Sequence, residues 1–236
     1  MSKETSLQRP NPEAESAMQR HRDAIARVRI DDDYAYDIEA LLDLKLGVLA
    51  RECNHVLDVG QSSRGRIDLF ERARIDTMEV NRREPLADII DDICAPTRLR
   101  ENHYDGIICL SILEHVYDPF AAIEHMHRLL PNGGYLFLQL PFLFRYHAPA
   151  DLHFTDSYRF SRDGMAWMLR DFSEVTLYSI RGPWSSIYNL HKSWKTQLEK
   201  RFGMGPSRWI DRVGRRLWQR PTGHLGVSGY YAWARK

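Results

Sequence analysis

Apolar positions along this chain change their period several times, and each change marks an element. Over residues 36–51, Ile38, Leu41, Leu42, Leu46 and Leu49 recur at helical spacing, which predicts a helix burying one stripe. Ahead of it, a charged stretch over about 13–29 predicts a more exposed helix, preceded by a polar, proline-containing lead. From His55 onward the runs become short and almost continuously apolar, at 55–59, 74–80, 87–90, 104–110 and 135–140. Such runs are expected of parallel strands covered on both faces.

Between the last two runs lies the clearest helix. Asp118 caps it, Pro119 suits its first turn, Phe120, Ile123, Met126 and Leu130 form its buried stripe, and Asn132-Gly133-Gly134 ends it. A second capped helix starts at Ser161, carries Met165, Met168, Leu169 and Phe172, and leads into a strand at 174–180; a last strand candidate spans 229–234. The alternation predicts an α/β fold with a doubly wound, mostly parallel sheet. It divides the chain into an extension over 1–30 and one domain over 31–236 that carries an insertion at 183–228.

Composition narrows the partners. With 236 residues, 43% of them hydrophobic, the chain can build one well-buried core. A formal net charge of +1 disfavours a general nucleic-acid binder. The three cysteines, Cys53, Cys94 and Cys109, are widely spaced and odd in number, so neither a disulfide framework nor a zinc site is indicated and a reducing cytoplasm fits. No apolar run approaches the roughly 18 to 20 residues needed to cross a bilayer.

The loop after the first long strand, "VLDVGQSSRG", sits where open α/β sheets bind ligands. Its two glycines, Gly60 and Gly65, fall short of the G-x-G-x-x-G that lets a pyrophosphate approach the backbone, which disfavours dinucleotides. A nucleoside cofactor without phosphates asks less of the loop, and S-adenosylmethionine is one. Glu79 ends the next strand 19 residues past Gly60, where an acid can accept hydrogen bonds from ribose hydroxyls.

Together, "VLDVG", "MEVN", "DDI", "YDGIICLSILEHV", "DPFAAIEHMHRLLPNGGYLFLQLPF" and "YRFSRDGM" make the chain resemble class I S-adenosylmethionine-dependent methyltransferases over about residues 55–180. The resemblance implies a seven-stranded sheet with an antiparallel last strand. It also implies that Asp58 and Gly60 belong to the methionine-side loop, that Glu79 binds the ribose, that Asp92 and Ile93 flank the adenine, and that Ser111 follows the fourth strand. Ser62 and Arg64 replace glycines usual in that family; Ser62 offers a hydroxyl, and Arg64 a cation, to the methionine carboxylate.

A hydroxyl acceptor must lose its proton as it attacks, so a base is sought after the fourth and fifth strands. "SILEHV" contributes Glu114 and His115, which contact substrate or begin a helix or lid. "PFLFRYHAPADLHFTDSYRF" contributes Tyr146, His147, Asp151, His153, Asp156 and Arg159. It loosely resembles the corresponding region of bacterial methyltransferases that accompany surface-polysaccharide synthesis. That reading makes His147 or His153 the base, Asp151 its orienting acid, Tyr146 a substrate contact, and Arg159 a holder of the loop or of a substrate anion. H-x-x-x-D-x-H in a loop is a weak zinc signal, and no metal is expected.

The segment 183–228 holds nine Lys or Arg against two acids and four of the six tryptophans, in a pattern that predicts two basic amphipathic helices. They cover the sheet edge, or touch an anionic membrane surface, as a cytoplasmic protein peripheral at the inner membrane would. The expectation is therefore a methyltransferase acting on a sugar or glycan-related acceptor. Its rivals are a silent methyltransferase-like binding module and a small-molecule or RNA methyltransferase on the same fold.

Overall fold

The computed structural model describes residues 11–35, 37–63, 65–81, 86–148, 154–183 and 226–236, together with residues 186, 190, 201 and 213. Among these lie helices α1 (Pro12–Arg27), α2 (Ile38–Glu52), α3 (Pro119–Leu129) and α4 (Arg162–Met168). The strands are β1 (Arg29–Asp31), β2 (His55–Val59), β3 (Arg74–Glu79), β4 (Ile89–Ile90), β5 (Gly106–Leu110), β6 (Tyr135–Pro141), β7 (Glu174–Ile180) and β8 (Gly229–Arg235). They form an eight-stranded sheet ordered β1-β7-β8-β6-β5-β2-β3-β4, in which only the pairings of β8 with β6 and β7 are antiparallel.

The doubly wound fold is as expected, with one strand more than seven. Arg29-Ile30-Asp31 pairs in parallel with Thr176-Leu177-Tyr178 of β7 and makes a new sheet edge. Three residues with a single apolar position show no alternation, so this pairing is set by a distant partner and not by local pattern. Helix α1 consequently ends at Arg27, two residues before the expected limit. It rests on α4 through an edge-on contact of His21 with Trp167 and a hydrogen bond from Arg27 to the Arg170 carbonyl.

Alternate residues of the central strands feed two cores. Ile107 and Cys109 of β5 join Leu57, Leu136, Leu138 and residues of α3 and α4 on one face; Ile108 and Leu110 join Val56, Phe137 and the stripe Leu41, Leu42, Leu46 and Leu49 of α2 on the other. Local chemistry fixes the helix starts: Asp37, Asp118 and Ser161 each accept a backbone N–H of the first turn. Of the stripe expected for α3, Ile123, Met126 and Leu130 are buried and Phe120 alone is exposed; Pro119, Ala122 and Leu129 complete the buried face. No helix among the described residues is long and apolar enough to cross a membrane. The basic, tryptophan-rich helices expected over 183–228 lie almost wholly outside the described residues.

Beyond β2 the chain steps outward through β3 to β4, then returns to the other side of β2 as β5. The strand order reverses there, and a crevice opens beyond the carboxyl ends of β2 and β5.

Candidate active site

The loop leaving β2 is folded around a buried acid. Asp58, fully buried, accepts from the backbone N–H of Ser62 at 2.6 Å, from the Ser62 hydroxyl at 3.0 Å and from the Ser63 N–H at 3.1 Å. Burial raises its pKa above the usual carboxylate range, and these hydrogen bonds oppose that rise. The Ser62 hydroxyl in turn accepts the N–H of Leu110 at 3.0 Å, which pins the loop to the end of β5.

Sequence reasoning had Asp58 and Ser62 facing the cofactor. Their polar atoms instead point into the fold and brace the loop, because a buried carboxylate needs every nearby donor. Serine is accommodated at 62 because the left-handed positions among the described residues of the loop fall at Gly60, Gln61 and Gly65, with φ of +73°, +46° and +76°. Arg64 lies outside the described residues.

Gly60 marks the close approach. A Cβ there would stand 2.2 Å from Cδ1 of Ile112 in the loop after β5. Past it lies a cavity of about 500 Å³ lined by Gly60, Glu79, Asp92, Ile93, Ser111 and His115 among others. Glu79 ends β3, and its carbonyl accepts the Asp91 N–H at 3.0 Å. The Asp91 carboxylate accepts N–H groups of Thr97 and Arg98, and Asp92 accepts that of Cys94, so the turn after β4 is fixed by its own acids. Ser111, at φ +60°, hydrogen-bonds Gln139 of β6 through both backbone and hydroxyl, which holds a conformation uncommon outside glycine.

The opposite wall comes from the loops after β5 and β6, tied together where the Glu114 carbonyl accepts the N–H of Ser157 at 2.8 Å. Glu114 has a side chain 1% exposed. Its Oε1 faces Nε2 of His147 at 3.6 Å and Nε2 of His115 at 3.8 Å, while its Oε2 has no hydrogen-bond partner among the described residues. The other ring nitrogens meet oxygens: Nδ1 of His115 lies 2.5 Å from the Thr155 carbonyl, and Nδ1 of His147 lies 3.0 Å from Asp156. Glu114 raises the pKa of His147 above the usual imidazole value against the opposing effect of burial.

Asp156 also accepts the His147 backbone N–H at 2.7 Å, and the Arg159 guanidinium beside it holds its carboxyl down to about 2. Arg159 further donates to the carbonyls of Phe144, Arg145 and Tyr158, so its donors are committed to holding the loop. Of the residues expected here, the fold gathers Glu114, His115, His147 and Arg159. Tyr146 is largely exposed nearby, and Asp151 and His153 lie outside the described residues. The acid beside His147 is Asp156. Sequence reasoning placed it in the right loop but gave it no role, because spacing along an irregular loop says nothing about which acid reaches which ring. Ile112, Phe154 and Thr155, also cavity residues, carried no signal of their own.

Comparison with known proteins agrees with this geometry. Sequence comparison with curated proteins gives no match. A solved S-adenosylmethionine-dependent methyltransferase from Archaeoglobus fulgidus is 16% identical, with a TM-score of 0.53 over 84% of this chain and 93% of that one. A phosphoethanolamine N-methyltransferase from Haemonchus contortus is 12% identical, with a TM-score of 0.50 over 85% of this chain and 52% of that one, so this chain spans about half its length. These likenesses concern the fold. A family model described as a methyltransferase domain matches residues 32–190, a stretch that takes in β2 to β7 and the walls of the cavity. The chain therefore belongs to the methyltransferase domain family and is a class I S-adenosylmethionine-dependent methyltransferase.

Proposed function

We propose that this enzyme transfers the methyl group of S-adenosylmethionine to a hydroxyl of a sugar or glycan-related small molecule. The observation that carries the reading is a cavity with two chemically distinct walls, Gly60, Glu79 and Ile93 on one and His115, Phe154 and Thr155 on the other, with Glu114 and the ring of His147 packed directly behind His115.

The first wall fits the cofactor. A carboxylate at the end of β3 suits the paired hydroxyls of a ribose, an apolar Ile93 suits the face of an adenine, and the missing side chain of Gly60 lets Ile112 pack against the loop at the cavity wall. The Ser62 hydroxyl is turned onto Asp58 and Leu110 and so leaves the cavity clear, which favours a working loop over a silent module. When bound, the cofactor supplies a methyl group made electrophilic by its sulfonium.

The second wall handles the acceptor. As the hydroxyl oxygen attacks, its proton passes to an unprotonated Nε2 of His147. Asp156 fixes that ring from its Nδ1 side and Glu114 stabilises the resulting imidazolium, leaving Arg159 to hold the loop in register. An amine acceptor, already nucleophilic when neutral, has less need of this machinery.

The test is release of S-adenosylhomocysteine in a screen of sugars, lipid-linked glycans, small amines and RNA. Turnover on a hydroxyl acceptor is expected, with His147→Ala lowering kcat by about 10²- to 10⁴-fold. Turnover on amines or RNA alone, indifferent to His147, would refute the reading.

A further inference from the structure

We propose that Glu114, His115 and His147 bind one divalent transition-metal cation of zinc-like preference. This goes beyond the methyl-transfer reading and does not depend on which acceptor is used. It departs from the sequence expectation of no metal, and it draws on a ligand set other than the weak pattern of His147, Asp151 and His153.

Three observations converge. One ligand atom from each of the three residues lies within 4.8 Å of the other two, and the two imidazole-to-carboxylate separations are 3.6 and 3.8 Å. Ligand atoms around a tetrahedral zinc with bonds of about 2.0–2.2 Å stand roughly 3.3–3.6 Å apart, so those two separations need to contract by a few tenths of an ångström at most.

The second observation concerns the rings. Nδ1 of His115 faces the Thr155 carbonyl, and Nδ1 of His147 faces Asp156 and the Arg145 carbonyl. Acceptors at Nδ1 keep the proton there, so in the neutral rings both Nε2 lone pairs point at a carboxylate. That is the arrangement of metal-bound histidines oriented by an outer oxygen. Lone pairs facing an anionic oxygen repel unless positive charge lies between them.

The third is the orphan. Oε2 of Glu114 is buried without a hydrogen-bond partner among the described residues, in a side chain 1% exposed. Such an atom is costly, and a cation gripped by both oxygens of this carboxylate relieves the cost. Two imidazoles and one carboxylate are also a ligand set that holds zinc with a fourth position free.

The experiment uses the full chain, stripped with a chelator and desalted. Zn²⁺ is titrated in competition with a chromophoric indicator, Co²⁺ binding is followed by visible absorption, and S-adenosylhomocysteine affinity is measured in parallel. One equivalent of Zn²⁺ is expected in the wild type. Affinity should fall at least tenfold in His147→Ala and in Glu114→Gln, and His147→Ala should retain nucleoside affinity, which shows that its fold is intact. Wild-type protein that binds the nucleoside but takes up no Zn²⁺ overturns the proposal, since protonated histidines then satisfy Glu114. Cation binding of unchanged strength in His147→Ala overturns it as well. Failure of the nucleoside to bind would count against the methyltransferase reading and leave the cation result standing on its own.

Discussion

Replacing Ser62 with alanine tests whether this hydroxyl is a structural part of the cofactor loop. The oxygen lies in a residue 6% exposed, donates to Asp58 at 3.0 Å and accepts the Leu110 N–H at 3.0 Å. Deleting it leaves a strand N–H without a partner next to a residue 2% exposed, a loss of about 1–3 kcal/mol, and removes one hydrogen bond from a buried carboxylate, a further ~1.5–3 kcal/mol. The two effects share one atom and overlap, so about 3 kcal/mol in total is expected. For a domain of this size that corresponds to a fall in Tm of about 6–12 °C. Urea denaturation with an unchanged m-value is the assay. Ser157→Ala, whose hydroxyl bonds only the exposed Thr155 side chain among the described residues, is the control and should stay within about 0.5 kcal/mol. Ser62→Gly, which restores the residue usual in the family, should be at least as destabilised as Ser62→Ala, because it loses the same bonds and adds roughly 0.5–1 kcal/mol of chain entropy. A Ser62→Ala protein as stable as the control would refute the bracing role.

Three further outcomes follow from the same structure. Gly60→Ala places a methyl 2.2 Å from Ile112 at φ +73°, and should lose about 2–4 kcal/mol in urea unfolding together with nucleoside affinity in calorimetry. All three cysteines are buried, and burial pushes the Cys53 thiol up to about 12 and that of Cys109 well above its ordinary value. A thiol reagent at mildly alkaline pH should therefore find no cysteine in the native protein and all three after unfolding. Burial, with Asp76 beside Tyr104, raises Tyr104 to about 12, and burial does the same for Tyr230. Stability from these phenols is fully present below about pH 10 and is lost as pH rises from there towards about 12; ultraviolet titration should show them ionising last, together with unfolding.

The elements whose signals are local were legible in the sequence. Asp118, Pro119 and the glycines at 133 and 134 define α3 through caps and turns that depend on neighbours a few residues away. Glu79 was legible because fold geometry fixes its distance from Gly60. What escaped was whatever depends on a distant partner. Arg29-Ile30-Asp31 becomes a strand only beside β7. Ser62 reads as a cofactor ligand until Asp58 and Leu110 are seen to occupy its hydroxyl. Glu114 reads as a substrate contact or as the start of a helix or lid, whereas the structure buries it between two histidines. The partnership of His147 with Asp156 arises from a loop folding back on itself, which periodicity does not describe.

The central claim is that the crevice between Gly60 and Glu79 holds the adenosyl group. Calorimetric titration with S-adenosylhomocysteine tests it most directly. The wild type should bind one equivalent, and Glu79→Ala, shown to be folded by a cooperative unfolding transition, should bind at least tenfold more weakly, since hydrogen bonds to a charged group contribute about 1.5–3 kcal/mol. Equal affinity in the two proteins, or none in a folded wild type, would contradict the account.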